Sequence, residues 1–160
     1  MLNKTKIRCH VCDFINSTNS EEDYLSVCKK CGVNLENPDE TKQMEDLCGY
    51  LKNPQRKLQQ VGMLYLTNIH LICVRSKSEI FPFPAFHSGL SSEVNLPPIK
   101  PIRILFQDIK SVEIVDYGLL VGNGLRICTM DSIEHNIQLG TKRPCIKWKD
   151  AILKLVSETK

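Results

Sequence analysis

Over the second half of the chain, apolar and polar positions alternate in short runs, the pattern of strands with one buried face. Gly62-Met-Leu-Tyr-Leu-Thr-Asn68 and His70-Leu-Ile-Cys-Val74 predict two strands that meet in a hairpin at Asn68. Ile102, Ile104 and Phe106 alternate with Arg103, Leu105 and Gln107, and Ser111-Val-Glu-Ile-Val115 follows as another strand. Leu119-Leu-Val121 and Leu125-Arg-Ile-Cys-Thr129 flank Asn123-Gly124 and predict a second hairpin, because that dipeptide favours two-residue turns. His135-Asn-Ile-Gln-Leu139 makes a last strand after a turn at Asp131-Ser132. The period then changes. Trp148, Ala151, Ile152, Leu155 and Val156 stand at the spacings of one helical face, with Pro144 suited to the first turn. The expected fold is mainly β with one C-terminal α-helix, six or seven strands in a β-sandwich or small barrel.

Upstream of residue 58 the pattern is different. Residues 36–57 are polar and charged, with Asn-Pro at 37–38 and again at 53–54, and read as a linker. Within it Met44, Leu47 and Leu51 recur at three and four residues and leave room for a short helix capped by Asp39. Residues 1–35 hold few core residues, namely Ile7, Val11, Phe14, Leu25, Val27 and Val33, so a segment this short needs a staple to fold.

The cysteines supply it. Cys9-x2-Cys12 and Cys28-x2-Cys31 are separated by fifteen residues, which brings two thiolate turns to opposite sides of one tetrahedral ion. Gly32, directly after the second pair, gives that turn its permissive backbone. The expectation is a zinc ribbon with Cys9, Cys12, Cys28 and Cys31 as ligands and a structural Zn2+, since four protein donors leave no open position for water or substrate. His10 is expected to face solvent, Lys29 and Lys30 to offset the thiolate charge, and residues 16–23 to form a polar loop between the turns. Cys48, Cys73, Cys128 and Cys145 stand singly among apolar residues and read as small core hydrophobes in a reducing compartment, where the sequons at Asn3 and Asn16 are unused.

The chain has 160 residues, 42% hydrophobic and 24% charged, a globular balance. No run approaches the roughly 20 apolar residues of a membrane span, and the N-terminus lacks a signal-like apolar stretch, which predicts a cytoplasmic chain, at most peripheral at a membrane. The net charge of +3 is uneven: residues 1–40 carry five basic and seven acidic side chains. An acidic ribbon argues against nucleic acid, whose binding draws on clustered Lys and Arg. The four histidines lie apart from any nucleophile pattern, and no enzyme activity is expected.

Gly62-Met-Leu-Tyr-Leu-Thr-Asn-Ile-His-Leu-Ile-Cys73 resembles the G-x-L-Y-L-T-N-x-R-L-I-F signature of GRAM domains, a branch of the pleckstrin-homology superfamily, with His70 in place of the usual Arg. Leu105-Phe-Gln-Asp-Ile-Lys-Ser-Val112 is similar, more loosely, to that family's I-x-L-x-D-I-x-x-V segment. The resemblance covers about residues 58–158 and implies a pleckstrin-homology-like barrel carrying a long insertion at 76–101. A four-Cys finger beside such a barrel also resembles the GLUE-type domains of endosomal sorting, and uncharacterised bacterial proteins that place a zinc ribbon ahead of a GRAM-like domain. What the resemblance implies is an adaptor that binds a protein partner or membrane lipid headgroups. The alternative is contact with nucleic acid or transcription machinery through the ribbon.

Two further features are candidates for that binding. Phe81, Phe83 and Phe86 lie in a Phe/Pro-rich stretch that cannot be an interior strand, and either cover the core or form an exposed apolar loop. Lys52, Arg56 and Lys57, with Lys142 and Arg143, are candidates for a convergent anion-binding rim.

Overall fold

Alternating segments become strands where a neighbour can complete their backbone hydrogen bonds. The computed structural model describes residues 6–17, 26–54, 58–80, 100–119 and 121–159, and nine strands lie among them. β1 (Lys6–Arg8) and β2 (Ile15–Ser17) form a small antiparallel ribbon. β3 (Lys42–Asn53), β4 (Leu58–Thr67), β5 (His70–Ile80), β6 (Ile102–Leu105), β7 (Ile109–Asp116), β8 (Asn123–Thr129) and β9 (Glu134–Gly140) make one antiparallel sheet, ordered β6-β5-β4-β3-β9-β8-β7. The two end strands, β6 and β7, are joined by a single 3-10 turn at Phe106–Asp108, so the sheet curls until its edges approach. α1 (Lys142–Glu158) ends the fold. The expectation of a mainly β protein with one C-terminal helix holds.

One face of every sheet strand points into a shared core. Leu64 and Leu66 of β4, Leu71 and Cys73 of β5, Leu125 and Ile127 of β8 and Ile137 of β9 meet Cys145, Trp148, Ile152 and Val156 of α1. The helical stripe read from the sequence is therefore the buried stripe. Cys48, Cys73 and Cys145 are buried as expected, and Cys128 is half-buried.

The expected linker and helix over 36–57 are not what forms. Residues 42–53 are the longest strand, β3, paired with β4 on one side and at Gly49 and Tyr50 with β9 on the other. As a helix, Met44, Leu47 and Leu51 would share one stripe. As a strand they split: Met44 packs with Cys48 and Tyr50 on the inner core, while Leu47 lies opposite Met63 on the outer face. The ladder to β4 decides the outcome, because strand preference is set by neighbours more than by local sequence.

The second hairpin is also displaced. β7 and β8 turn through residues 117–122, where Gly118 and Gly122 have φ of 94° and 76°, and Leu119 is fully exposed rather than in a strand. Asn123 and Gly124 begin β8. Gly124 is needed for close approach, not for the turn: a Cβ there would overlap the Ile137 carbonyl and lie 2.8 Å from the Tyr117 ring. The expected insertion at 76–101 begins later as well, since residues 76–80 continue β5 opposite β4.

Trp148 is 1% exposed at the centre of the core. Trp148→Ala is expected to lower stability by about 3–5 kcal/mol, read as a shift in the urea midpoint of the intact chain.

Candidate metal centre

Each Cys-x2-Cys pair sits in a turn of the same construction. In the first, the Cys9 N–H donates to the Phe14 carbonyl (2.9 Å) and the Asp13 N–H to the Cys9 carbonyl (3.0 Å). In the second, the Cys28 N–H donates to the Val33 carbonyl (2.8 Å) and the Gly32 N–H to the Cys28 carbonyl (2.9 Å). The residue after the second cysteine is left-handed in both, Asp13 at φ 58° and Gly32 at φ 75°. Glycine takes that conformation freely, and Asp is among the few side chains that tolerate it. Asp13 is thus the counterpart of Gly32.

The two turns bring four sulfurs together. Sγ of Cys9 lies 3.6 Å from Sγ of Cys31, Sγ of Cys12 lies 3.6 Å from Sγ of Cys28, and all four fall within 4.8 Å of one another. A tetrahedral ion with metal–sulfur bonds of about 2.3 Å requires sulfurs about 3.8 Å apart, so the donor set fits such a site. All four cysteines are buried, Cys9 and Cys31 completely. The arrangement is closed, which suits holding a fold and not presenting a metal to substrate.

Before a metal replaces their protons, the sulfurs compete for them. Hydrogen bonds from Cys12, then Cys31 and Cys9, push the Cys28 thiol strongly down. Hydrogen bonding with Cys12 brings Cys9 to about 7. Cys12 is pushed up chiefly by its bond to Cys28, and Cys31 by its bonds to Cys12 and Cys28. A metal bound to these sulfurs would expel protons, and its affinity would fall as pH falls.

Asn16 is the residue that sequence reasoning missed. Read as part of a polar loop, it is fully buried in β2 on the metal side of the ribbon. Its Oδ1 accepts the Lys29 N–H (2.9 Å), while its Nδ2 donates to the Phe14 carbonyl (3.2 Å) and lies 3.6 Å from the Cys28 sulfur. One amide thus ties the first turn to the second and places a donor against a ligand. No sequence signal marked it, because its pairing with half-buried Ile7, the one inward position of β1, exists only in the folded ribbon. The Val11 N–H also reaches the Cys9 sulfur, at 3.4 Å. His10 faces solvent as expected, and Lys29 contributes its backbone N–H rather than a charge at the sulfurs.

The ribbon is seated on the sheet. The four cysteines, Val11 and Val33 form one apolar cluster with Tyr65, Ile72 and Val74, on the outer face of β4 and β5. Those three are at most 5% exposed, and burying side chains of this size contributes about 1.5–3 kcal/mol each. Phe14 and Val27, expected in the ribbon's own core, are instead 39% and 49% exposed, because the sheet supplies the core.

A polar clamp borders this contact. Glu40, 2% exposed, accepts from the Thr67 hydroxyl (2.9 Å) and pairs with His70 Nδ1 (2.8 Å), while Arg103 Nη2 lies 3.7 Å from its other oxygen. Arg103 Nη1 donates to the Gly32 carbonyl at 2.6 Å. Asn68 completes the clamp: its Oδ1 accepts the Thr41 N–H (2.8 Å) and its Nδ2 donates to the Asp39 carbonyl (2.8 Å). The Thr-Asn-Ile-His turn of the sequence signature is therefore what holds residues 39–41. Burial alone would raise the Glu40 carboxyl, but hydrogen bonds from His70 and Thr67 and the charges of His70 and Arg103 outweigh it and hold the group low.

The remaining candidates do not gather. Lys52 is level with His135 by the register of β3 on β9, whereas Lys142 and Arg143 lie beyond the other end of β9. From the level of His135 to the end of β9 at Gly140 the strand advances five residues, about 17 Å, before the chain turns into α1. The expected anion rim does not converge from these three. Arg56 and Lys57, and the loop of Phe81, Phe83 and Phe86, lie outside the described residues.

Three outcomes are expected. Asn16→Ala, which removes no ligand, weakens metal binding by about 10–100-fold in a chelator competition, and Cys28→Ser abolishes stoichiometric binding. Glu40→Gln is less stable than wild type at neutral pH, and the gap closes on acidification. An unfolded Glu titrates near 4.3 and the folded one lower, so this stabilisation is present above that range and lost as pH falls through the folded value. Melting temperatures of both proteins between pH 7 and 3 check it.

No protein-family model and no characterised protein matches the sequence. Among solved structures, the chain is similar to the C-terminal domain of an unknown protein from Leishmania infantum, with a TM-score of 0.50 at 12% identity over 73% of this chain and 84% of that one. A likeness at that identity is one of fold alone.

Proposed function

We propose that the chain is a non-catalytic binding module, a zinc-stabilised pleckstrin-homology-like scaffold that docks a protein partner. The strand order β6-β5-β4-β3-β9-β8-β7, with a helix closing the curled sheet, supports the pleckstrin-homology-like reading. A closed set of four sulfurs supports zinc in a structural role, and optical absorption after cobalt substitution tests for a tetrahedral four-thiolate ion.

The observation that carries the protein-partner reading is on the ribbon. Phe14, Ile15 and Val27 are 39%, 54% and 49% exposed on a segment whose backbone is fixed by the sulfur cluster. A rigid module that shows three large apolar side chains is suited to a protein interface, where such anchors carry most of the affinity. Membrane headgroup binding is the lesser form of the same reading, because Lys52 and the Lys142–Arg143 pair do not converge. The acidic balance of residues 1–40 argues against nucleic acid.

The test uses the full chain, since the ribbon shares its core with the sheet. A triple variant, Phe14→Ser, Ile15→Ser and Val27→Ser, is expected to keep its metal and its melting temperature while losing partners cross-linked by the wild type. Identical partner sets would contradict the reading. Salt-sensitive flotation with vesicles containing phosphatidylserine would favour the lipid form instead.

A further inference from the structure

The ribbon and the sheet have separate cores on opposite faces of the same two strands. Leu64, Leu66, Leu71 and Cys73 point inward to α1, while Tyr65, Ile72 and Val74 point outward to the cysteines, and no residue belongs to both clusters. The outward residues form a compact patch, because Tyr65 is the cross-strand partner of Ile72 and Met63 of Val74. Among the described residues, the apolar side chains that pack on this patch from the ribbon are the four cysteines, Val11 and Val33 within two positions of one, and Leu35.

The chain between ribbon and sheet is anchored independently of the sulfurs. Glu40 is held by Thr67 and His70, and Asp39 and Thr41 are held by Asn68, all within the β4–β5 turn. β3 begins at the next residue. An opening of the ribbon would therefore stop at residues 39–41 and leave the seven-stranded sheet with its ladders and its inner core. Among the described residues, the contacts that would break are Arg103 to the Gly32 carbonyl, Pro101 and the Arg103 stem against Gly32, the exposed Lys42–Asp13 pair at 3.5 Å, and the apolar patch itself.

We infer that residues 6–17 and 26–35 are a metal-locked lid over the outer face of β4 and β5, which opens as far as the anchored residues 39–41 when the metal is lost and bares Met63, Tyr65, Ile72 and Val74 while the sheet stays folded. The inference rests on the reading of the four cysteines as a metal site. With the ion bound, the ribbon's two turns are tied at one point and present Val11 and Val33 to the patch. Without it, a segment with so few apolar residues of its own lacks the free energy to stay ordered, and opening becomes a sub-global event distinct from unfolding of the sheet.

The experiment compares the intact chain loaded with zinc and after treatment with a high-affinity chelator, by metal analysis, hydroxyl-radical footprinting and amide exchange. On metal loss, labelling of Met63 and Tyr65 should rise several-fold and the amides of Cys9, Cys28 and Gly32 should exchange. Labelling of Trp148 and protection of the Leu125 and Ile127 amides should be unchanged. A joint rise at Trp148 and Tyr65 would make ribbon and sheet one cooperative unit and overturn the lid. Protected Tyr65 in chain shown to be metal-free would overturn it equally. A chain that takes up no zinc would sink the reading of the cysteines, and the lid with it.

Discussion

Four sulfurs meeting at one point is the constraint on which the N-terminal quarter of this fold depends. The ribbon has two three-residue strands and two tight turns, and of the six apolar side chains that would build its own core, Phe14 and Val27 are exposed. What the ribbon lacks in apolar content it draws from two sources. The cysteine cluster fixes the turns against each other, and the outer face of β4 and β5 gives Val11 and Val33 something to pack on. Each is incomplete alone, because an unfixed ribbon cannot present its apolar residues and an uncovered sheet face exposes Tyr65, Ile72 and Val74.

The same two strands serve both cores, and that double duty explains the composition of β4 and β5. Strands buried on one face alternate, whereas Leu64-Tyr65-Leu66 and Leu71-Ile72-Cys73-Val74 are continuous apolar runs, as expected where both faces are covered. The turn that joins them is polar and equally occupied. Thr67, Asn68 and His70 bind residues 39–41, and Glu40, the one nearly fully buried carboxylate among the described residues, is matched by a hydroxyl, an imidazole and a guanidinium. A buried charge with fewer partners would oppose folding. Here it fixes the path of the chain from ribbon to sheet.

Much of this was legible in the sequence, and the failures have physical causes. Cysteine spacing located the four-sulfur cluster because coordination geometry limits the separations that bring such pairs together, and the helical period of Trp148, Ile152 and Val156 located α1 because one face alone is buried. β3 was misread because its apolar residues serve two faces of a sheet and so imitate a helical stripe. The β7–β8 turn was misplaced because Gly124 is demanded by the approach of Ile137 and not by a turn. Asn16 escaped because nothing local distinguishes a buried amide from a loop residue. Its role exists only once both turns surround it.

Zinc-edge X-ray absorption of the purified intact chain reports the donor atoms themselves. One zinc per chain with four sulfur neighbours at about 2.3 Å, and no nitrogen or oxygen bound to the metal, is the expected result. A first shell containing nitrogen or oxygen, or a chain without stoichiometric zinc, would contradict it.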